Sequence, residues 1–287
     1  MHLILLMLTI FLINFSCEEK NNVNFKENKI INKTKTAAKT SQNISESNIN
    51  ILKSQYKFNL TVKTSVVSTF YHNTESYTQG LLYYKGFLYE STGQYGASSL
   101  QKIDPNTGRI VNKINFPKNI FAEGISLYKQ KIYVLTWREN KCFIIDLKTF
   151  SIIDEVQYHG EGWGLESDGD YFIMTNGGSQ LVYVQPDTFT PIKKIDITEN
   201  GQLIQNVNEL ELIGDEIWAN VYMTDDIIRI NKNTGKVIQR LNFSHLRKKL
   251  INNREAETFN GIAFNYDKNT FYLTGKNWSK YFEIEIN

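Results

Sequence analysis

Two sets of positions along the chain carry side chains that can move protons, donate hydrogen bonds and surround a ligand. The first set directly precedes a repeated step, a small residue (Glu in the fourth copy) followed by Leu or Ile: Gln79, Glu123, Trp163, Asn208 and Asn260. The second set lies 14 residues further on in four copies and 16 in the fifth: Gly93, Trp137, Gly177, Tyr222 and Lys276. Together they supply one carboxylate, which can transfer protons, one ammonium and three amides, which can donate hydrogen bonds, and three large aromatic rings.

The residue types in these two sets differ from copy to copy, whereas the flanking Leu and Ile residues recur. Positions that only spaced the repeats would carry similar side chains. A few polar groups among aromatic rings are typical of a ligand pocket. The plainer interpretation is a water-filled opening lined by polar residues that happen to differ, and spacing alone leaves both interpretations open.

The elements that must position these side chains are β-hairpins. Successive copies of the step lie 44, 40, 45 and 52 residues apart, and each is followed by two apolar runs around a polar turn, as in LLYY-KG-FLYEST. A further pair of strands follows each of the first four hairpins, as in LQKI-DPNTG-RIVNKI. Four strands in about 45 residues is the repeat of a propeller blade. The sequence therefore predicts an all-β fold, a five-bladed β-propeller with four-stranded antiparallel blades.

The fifth copy has only YFEIEIN after its hairpin, one strand short of a blade. We expect the segment FNLTVKTSVVSTFYH, residues 58–72, to supply the missing outer strand, so that pairing of the N- and C-terminal strands closes the ring. In a propeller the first strand of each blade lines the central channel and the second returns to the same mouth. Both sets of positions are therefore expected at one opening.

Long motifs follow one another from residue 57 to the end of the chain: YTQGLLY, LYESTGQYGASSLQKID, AEGIS, YVLTW, GEGWGLESDG, NELE, IWANVY, NGIAF and FYLTGKNW. In these motifs the sequence resembles the glutaminyl-peptide cyclotransferases of the plant and bacterial type. The resemblance implies conversion of the N-terminal glutamine of peptides and proteins to pyroglutamate, with release of ammonia and without a metal or other cofactor.

The reaction implied by the resemblance needs few groups. The substrate's α-amine attacks its own γ-carbonyl, so no protein nucleophile is required. One carboxylate can take a proton from the amine and deliver one to the departing nitrogen, and Glu123 matches the catalytic glutamate of the family. Lys276, Asn208 and Gln79 match groups that would stabilise the γ-carbonyl oxygen.

The resemblance also implies aromatic walls around the glutamine side chain, formed by Trp137, Trp163 and Tyr77, which replaces a Phe of the family. Tyr222 departs from the family's usual Trp, so we expect retained activity with a changed affinity or substrate preference. No role is assigned to Asn260. The alternatives are that the rings only pack between blades, and that Lys276 is an exposed rim charge or an ion-pair partner of Glu123.

Two other functions are alternatives for a propeller with a polar and aromatic mouth. A non-enzymatic propeller that binds a peptide or glycan would retain the aromatic walls but would not need Glu123 and Lys276 together. A redox propeller with a quinone cofactor would need a stacking platform and several cationic contacts, which the sequence does not offer. The joint presence of the carboxylate and the ammonium favours the enzyme.

Composition excludes several further classes. The 287 residues include 32 basic and 30 acidic side chains, scattered along the chain, so no nucleic-acid partner is indicated. The cysteines are Cys17 and Cys142, which leaves no disulfide within the mature domain; we expect Cys142 to be a small buried apolar residue. His72, His159 and His245 show no metal-ligand spacing.

The N-terminal part has a different character. Residues 1–17 resemble a signal peptide that ends at a lipoprotein cysteine, Cys17, with an ordinary cleaved signal peptide as the alternative. Residues 18–56 are rich in Asn, Lys, Ser and Thr and are expected to form a disordered tether. We therefore expect an exported monomer, a propeller of residues 57–287, lipid-anchored through Cys17 to a bacterial membrane on the periplasmic side or the cell surface.

Overall fold

A computed structural model describes residues 62–251 and 254–286. Twenty of the 22 strands in these ranges form five four-stranded antiparallel sheets, the blades, and the other two form a separate hairpin. This arrangement confirms the predicted five-bladed propeller. In the same ranges no helix has the length and apolar character needed to cross a membrane.

The blades, numbered in chain order, each comprise consecutive strands except the last. Blade one contains β2 (Thr78–Tyr84), β3 (Phe87–Thr92), β4 (Ser99–Asp104) and β5 (Arg109–Asn115). Blade two contains β6 (Ala122–Tyr128), β7 (Lys131–Thr136), β8 (Lys141–Asp146) and β9 (Ser151–Gln157). Blade three contains β10 (Leu165–Ser167), β11 (Phe172–Met174), β12 (Gln180–Val184) and β13 (Pro191–Asp196). Blade four contains β16 (Val207–Ile213), β17 (Glu216–Val221), β18 (Asp226–Asn231) and β19 (Val237–Asn242).

Blade five contains β20 (Phe259–Asn265), β21 (Thr270–Gly275), β22 (Lys280–Ile286) and, as its outer strand, β1 (Thr64–Tyr71). Strand β1 pairs with β22 in antiparallel register, with Thr64 opposite Ile286 and Tyr71 opposite Lys280. The first described strand thus completes the last blade. This pairing is the predicted closure of the ring.

A buried hydrogen-bond network fastens the closing seam. The Oε1 atom of Glu90 accepts a hydrogen bond from Thr78 Oγ1 (2.6 Å) and contacts His72 Nε2 (3.0 Å), while Oε2 accepts one from the Tyr281 hydroxyl (2.5 Å). Burial alone would raise the pKa of Glu90, but His72 and these donors outweigh burial and lower it. The network joins the end of β1 to blades one and five.

Glu209 holds the blades together near the axis. It replaces the small residue of the repeated step in the fourth copy, and its carboxylate accepts hydrogen bonds from the backbone N–H of Leu81 (3.2 Å) in blade one and of Ile262 (2.8 Å) in blade five. A buried carboxyl group that accepts two backbone donors is a cross-link rather than a ligand group here. Three blades are joined by this one side chain.

Apolar side chains fill the space between adjacent sheets. One such cluster, between blades two and three, contains Leu135, Cys142 and Phe172, all fully buried. Cys142 is a free thiol in this core, as expected.

The spacing of the repeat reflects two insertions that the sequence did not predict. Strands β14 (Thr198–Glu199) and β15 (Gln202–Leu203) form a small hairpin between blades three and four. Helix α1 (Ser244–Arg247) lies between blades four and five, where the copies are 52 residues apart. The predicted signal peptide, the predicted lipidation site Cys17 and the predicted tether lie outside the described residues.

Candidate active site

The recurring step of the sequence is a β-bulge in four of the five blades. The pairing of the first two strands shifts between Thr78 and Gly80, and the three corresponding shifts are at Ala122/Ile125, Val207/Leu210 and Phe259/Ile262. A bulge bends the strand and redirects a side chain. In blade three, β10 begins only at Leu165, so Trp163 lies in the irregular segment before it.

Backbone hydrogen bonds bring the second set of positions to the same mouth. In four blades the N–H of the second-set residue donates to the carbonyl of the residue two before the first-set position: Gly93 to Tyr77 (2.8 Å), Trp137 to Phe121 (2.9 Å), Tyr222 to Asn206 (2.8 Å) and Lys276 to Thr258 (2.9 Å). These bonds link the end of the second strand to the beginning of the first. The two sets therefore converge, as the propeller geometry predicted.

One cavity of about 270 Å³ lies at this mouth. Its walls include all eight residues expected to bind or transform a ligand: Tyr77, Gln79, Glu123, Trp137, Trp163, Asn208, Tyr222 and Lys276. The cavity is also lined by Gln94 and Phe121, which the sequence analysis missed. Phe121 precedes Glu123 by two residues, as Tyr77 precedes Gln79, and this spacing could have revealed it. Gln94 gives no such signal, because its position depends on a loop conformation with φ of 94°.

The two glycines of the second set make room for rings of the first strands. A Cβ atom on Gly93 would lie 2.3 Å from the Phe121 ring, and one on Gly177 would lie 2.6 Å from the Trp163 ring. Glycine is thus required where the aromatic walls approach the backbone. Asn260 has a structural role: its Nδ2 donates to the carbonyls of Thr78 (3.1 Å) and Gln79 (3.0 Å), joining blade five to blade one.

Glu123 is a buried carboxyl, 4% exposed, that shares one hydrogen bond with the adjacent blade. Its Oε1 accepts from Gln79 Nε2 at 2.6 Å, and Oε2 has no hydrogen-bond partner among the described residues. Burial raises the pKa of Glu123 well above its ordinary value; Lys276 opposes this effect, and Glu161 and Glu139 add to it. Burial therefore outweighs the attraction of the Lys276 ammonium.

Lys276 is also buried, 3% exposed, so it is not an exposed rim charge. Its Nζ lies over the rings of Tyr77 (4.7 Å to the centroid) and Tyr222 (5.0 Å). Within the described ranges, none of the ion pairs joins Lys276 directly to Glu123. Burial lowers the pKa of Lys276 to about 8, against the attraction of Glu123 and Glu257. The ammonium is held by aromatic faces rather than by a carboxylate.

Two amide oxygens in the site lack a protein partner. Neither Gln79 Oε1 nor Asn208 Oδ1 has a hydrogen-bond donor within the part of the chain that the structure describes, although both atoms are buried. A buried acceptor without a donor is costly unless a ligand or water supplies one. Because the Nε2 of Gln79 donates to Glu123, Gln79 offers its oxygen more readily than the donor role expected from the sequence.

The described ranges contain no group of three His, Cys, Asp or Glu side chains placed to hold a metal ion. His72 belongs to the seam network, and His159 and His245 lie elsewhere in the chain.

Comparison with known proteins identifies the family. The family model of glutamine cyclotransferase matches residues 34–286. A glutaminyl-peptide cyclotransferase from Arabidopsis thaliana is 35% identical over 225 residues, which is 77% of this chain and 70% of the relative. The crystal structure of the Myxococcus xanthus glutaminyl cyclase superposes with a TM-score of 0.73 at 29% identity, covering 79% of this chain and 97% of that one. The chain therefore belongs to the glutamine cyclotransferase family.

Proposed function

We propose that the protein is a glutaminyl-peptide cyclotransferase, which converts the N-terminal glutamine of peptides or proteins to pyroglutamate and ammonia. The observation that carries the proposal is a buried carboxyl, Glu123, and a buried amine, Lys276, in one aromatic-walled cavity. Their pKa values are shifted in opposite directions, upward for Glu123 and downward for Lys276. Groups tuned in this way are typical of acid–base catalysis.

Glu123 acts as the proton shuttle in this proposal. Its carboxylate takes a proton from the substrate's α-amine while the nitrogen forms a bond to the γ-carbonyl carbon. The same carboxyl then donates that proton to the amide nitrogen as the carbon–nitrogen bond breaks, and ammonia leaves. Because the attacking and leaving groups belong to one residue, the protein only has to hold the chain in the ring-closing conformation.

Lys276 and Asn208 stabilise the negative charge that develops on the γ-carbonyl oxygen. At neutral pH a lysine with a pKa of about 8 is mainly protonated and can donate hydrogen bonds. Gln79 orients Glu123 through the 2.6 Å bond to Oε1. The unpartnered oxygens of Gln79 and Asn208 are then available to N–H groups of the substrate.

The aromatic residues bind the glutamine side chain and exclude water. Tyr77, Trp137, Trp163 and Tyr222 all line the cavity. Removing water strengthens the electrostatic interactions of the carboxyl and the ammonium with the substrate. The proposed reaction uses no metal and no cofactor.

We also propose that the protein is an exported bacterial monomer anchored to a membrane by a lipid on Cys17. The apolar run before Cys17 and the polar composition of residues 18–56 support this arrangement. Membrane fractionation of wild-type protein and a Cys17→Ala variant tests it, since only the wild type should remain with the membrane after a high-salt wash.

The experiment that tests the activity is ammonia release from a short peptide beginning with glutamine, with the same peptide beginning with asparagine as the control. The cyclase releases ammonia from the glutamine peptide only. If the folded protein releases none from either peptide, the alternative gains support, a non-enzymatic propeller that binds a peptide or glycan at the same mouth. Direct binding of both peptides without turnover would then be the observation to seek.

A further inference from the structure

The aromatic rings around the cavity form a belt with two interruptions. On one side Tyr77 contacts Phe121 (6.3 Å between centroids), and Phe121 contacts Trp137 (5.5 Å). On the other side Trp163 contacts Tyr222 (5.5 Å). The gap between Tyr222 and Tyr77 is occupied by the ammonium of Lys276. The second gap lies between Trp137 and Trp163, which share no ring contact among those of the described residues.

Glu161 fills this second gap. Its Oε2 accepts hydrogen bonds from both indoles, from Trp137 Nε1 at 2.9 Å and from Trp163 Nε1 at 3.1 Å. Trp137 follows the second strand of blade two, whereas Trp163 precedes the first strand of blade three. One carboxylate oxygen therefore joins two walls of the cavity that come from different blades.

The surroundings of Glu161 hold it in place. Its Oε1 accepts from Arg138 Nε at 2.9 Å, and the Arg138 guanidinium lies 3.7 Å over the Trp137 ring. The backbone of the next residue, Gly162, donates to the Trp137 carbonyl (3.1 Å). The Glu161 side chain is 36% exposed and that of Arg138 is 59% exposed, so the ion pair adds little stability by itself. Its effect is geometric, because it fixes the carboxylate that both indoles use.

The repeat shows that Glu161 departs from its counterparts. It precedes the first-set residue Trp163 by two positions, as Tyr77 and Phe121 precede theirs. Blades one and two have an aromatic ring at this position, blades four and five have Asn206 and Thr258, and only blade three has a carboxylate.

We propose that Glu161 is a positioning residue that fixes the angle between Trp137 and Trp163, and so sets the fit of the glutamine side chain between them. The proposal deepens the function proposed above and rests on it for its kinetic part. An indole free to turn about its side-chain torsions would lose its fixed place in the wall, whereas two indoles bonded to one oxygen keep a defined separation.

The first test reads the indoles directly and needs no catalytic activity. The four tryptophans give four indole N–H resonances in a ¹⁵N-correlated NMR spectrum, assigned by single Trp→Phe variants. In Glu161→Ala we expect the resonances of Trp137 and Trp163 to move, since both lose their acceptor. Those of Trp218 and Trp278 should stay in place, because neither indole bonds to Glu161.

The second test is kinetic. We expect Glu161→Ala to raise KM for a glutamine peptide about 10-fold or more, with a smaller change in kcat, because the loss is in the fit of the substrate. Glu161→Gln keeps an acceptor oxygen and should show a smaller increase. Glu139→Gln is the matched control: Glu139 also raises the pKa of Glu123, but its carboxylate bonds to Tyr95 and to the Phe121 N–H, not to an indole.

The two tests distinguish the positioning of the indoles by Glu161 from its effect on substrate fit. Both Glu161→Gln and Glu139→Gln should shift the acid limb of the pH–rate profile to lower pH, whereas only the Glu161 variants should move the indole resonances and KM. Unmoved Trp137 and Trp163 resonances in Glu161→Ala would overturn the positioning role. Moved resonances with an unchanged KM would overturn the link to substrate fit. Absence of activity in the wild type would refute the proposed function and leave the NMR result to decide the role of Glu161 in holding the indoles.

Discussion

The Nε2 atom of Gln79 lies 2.6 Å from the Oε1 atom of Glu123, and this bond joins equivalent positions in two adjacent blades. Both residues lie at β-bulges near the start of the first strand of their blade. The bond fixes one oxygen of the buried carboxylate and leaves Oε2 without a partner among the described residues. A carboxylate with one oriented oxygen and one available oxygen is suited to repeated proton transfer.

Glu123→Gln should lower kcat by at least about 10²- to 10⁴-fold, because the variant cannot take or donate the proton. The change keeps the size of the side chain, so circular dichroism and thermal unfolding should resemble the wild type. Ammonia release from a glutamine peptide measures the effect. The same change at the exposed rim residue Glu257 is the control and should cost far less. Wild-type rates in Glu123→Gln would remove this residue from the mechanism.

The pH–rate profile should be bell-shaped. The shuttle role requires a deprotonated Glu123, so activity should fall on the acid side at a pH well above the ordinary glutamate value of 4.5, since burial raises this pKa. Activity should fall on the alkaline side near pH 8, where Lys276 loses its proton. In Lys276→Met the alkaline limb at this pH should disappear along with most of the activity. A wild-type profile flat from pH 5 to pH 10 would contradict both assignments.

Tyr222→Ala should shift the alkaline limb of the pH–rate profile to lower pH by about 0.4–1.5 units. The Tyr222 ring faces the Lys276 ammonium at 5.0 Å, and a desolvated cation–π contact contributes about 0.5–2 kcal/mol to the charged form. Tyr222→Phe retains the ring and is the matched control. Its alkaline limb should lie at nearly the same pH as that of the wild type. Equal limbs in the alanine and phenylalanine variants would show that the ring does not support the charge.

Gly177→Ala should raise KM for a glutamine peptide, because its Cβ would lie 2.6 Å from the Trp163 ring and displace this wall. Gly169→Ala is the control for backbone strain: Gly169 also has a positive φ, 96° against 76° for Gly177, but its Cβ would meet no atom within 4 Å. Both variants should lose some stability, by about 1 kcal/mol in each case. If KM rises equally in both, strain rather than displacement of Trp163 is responsible.

The domain should be more stable at pH 5 than at pH 8. Burial, with the charge of Glu166, raises the pKa of Glu211 well above 4.5, and burial does the same for Glu209. A carboxyl whose pKa is higher in the folded state binds its proton more tightly there, so the free energy of unfolding falls as pH rises above the unfolded value. The lowered pKa of Glu90 makes a contribution that is already complete at pH 5 and above.

Glu211→Gln should weaken this dependence, because the variant has no proton to lose. Melting temperatures at pH 5 and pH 8, at constant ionic strength, provide the measurement, and each kcal/mol corresponds to about 2–4 °C for a domain of this size. A wild type that is more stable at pH 8, or a Glu211→Gln variant with the same dependence as the wild type, would contradict the assignment.

Much of the architecture could be predicted because the repeat can be recognised from the residue types and their spacing. The spacing of the step, the turn residues and the alternating runs determined the number of blades, and the single strand after the last hairpin predicted that β1 would complete blade five. Seven of the eight candidate residues lie in one cavity because the two sets occupy fixed places in each blade, and the eighth, Tyr77, precedes Gln79 by two residues.

Other features depend on contacts between side chains of different blades, and a single sequence does not show which residues make them. In the sequence Glu209 is only an exception to the repeat, a Glu where the other copies have Gly. Its hydrogen bonds to Leu81 and Ile262 form only in the closed ring. Glu161 resembles a surface residue in a glycine-rich segment, and its place between two indoles follows from the irregular path before β10. The pKa of Glu123 likewise depends on burial and distances rather than on residue types.

The pairing of β1 with β22 has a consequence for how the chain is synthesised. Strand β1 is the first of the described strands to leave the ribosome, and its partner is the last, so blade five stays incomplete until translation of the domain ends. During that time both β1 and β21 carry unpaired edges, which can associate with other chains. Strand β1, TSVVSTFY, has four Ser or Thr residues among its eight. This polar composition lowers its tendency to aggregate before it pairs. The seven residues of β22 thus complete blade five only after the other strands of the domain have been synthesised.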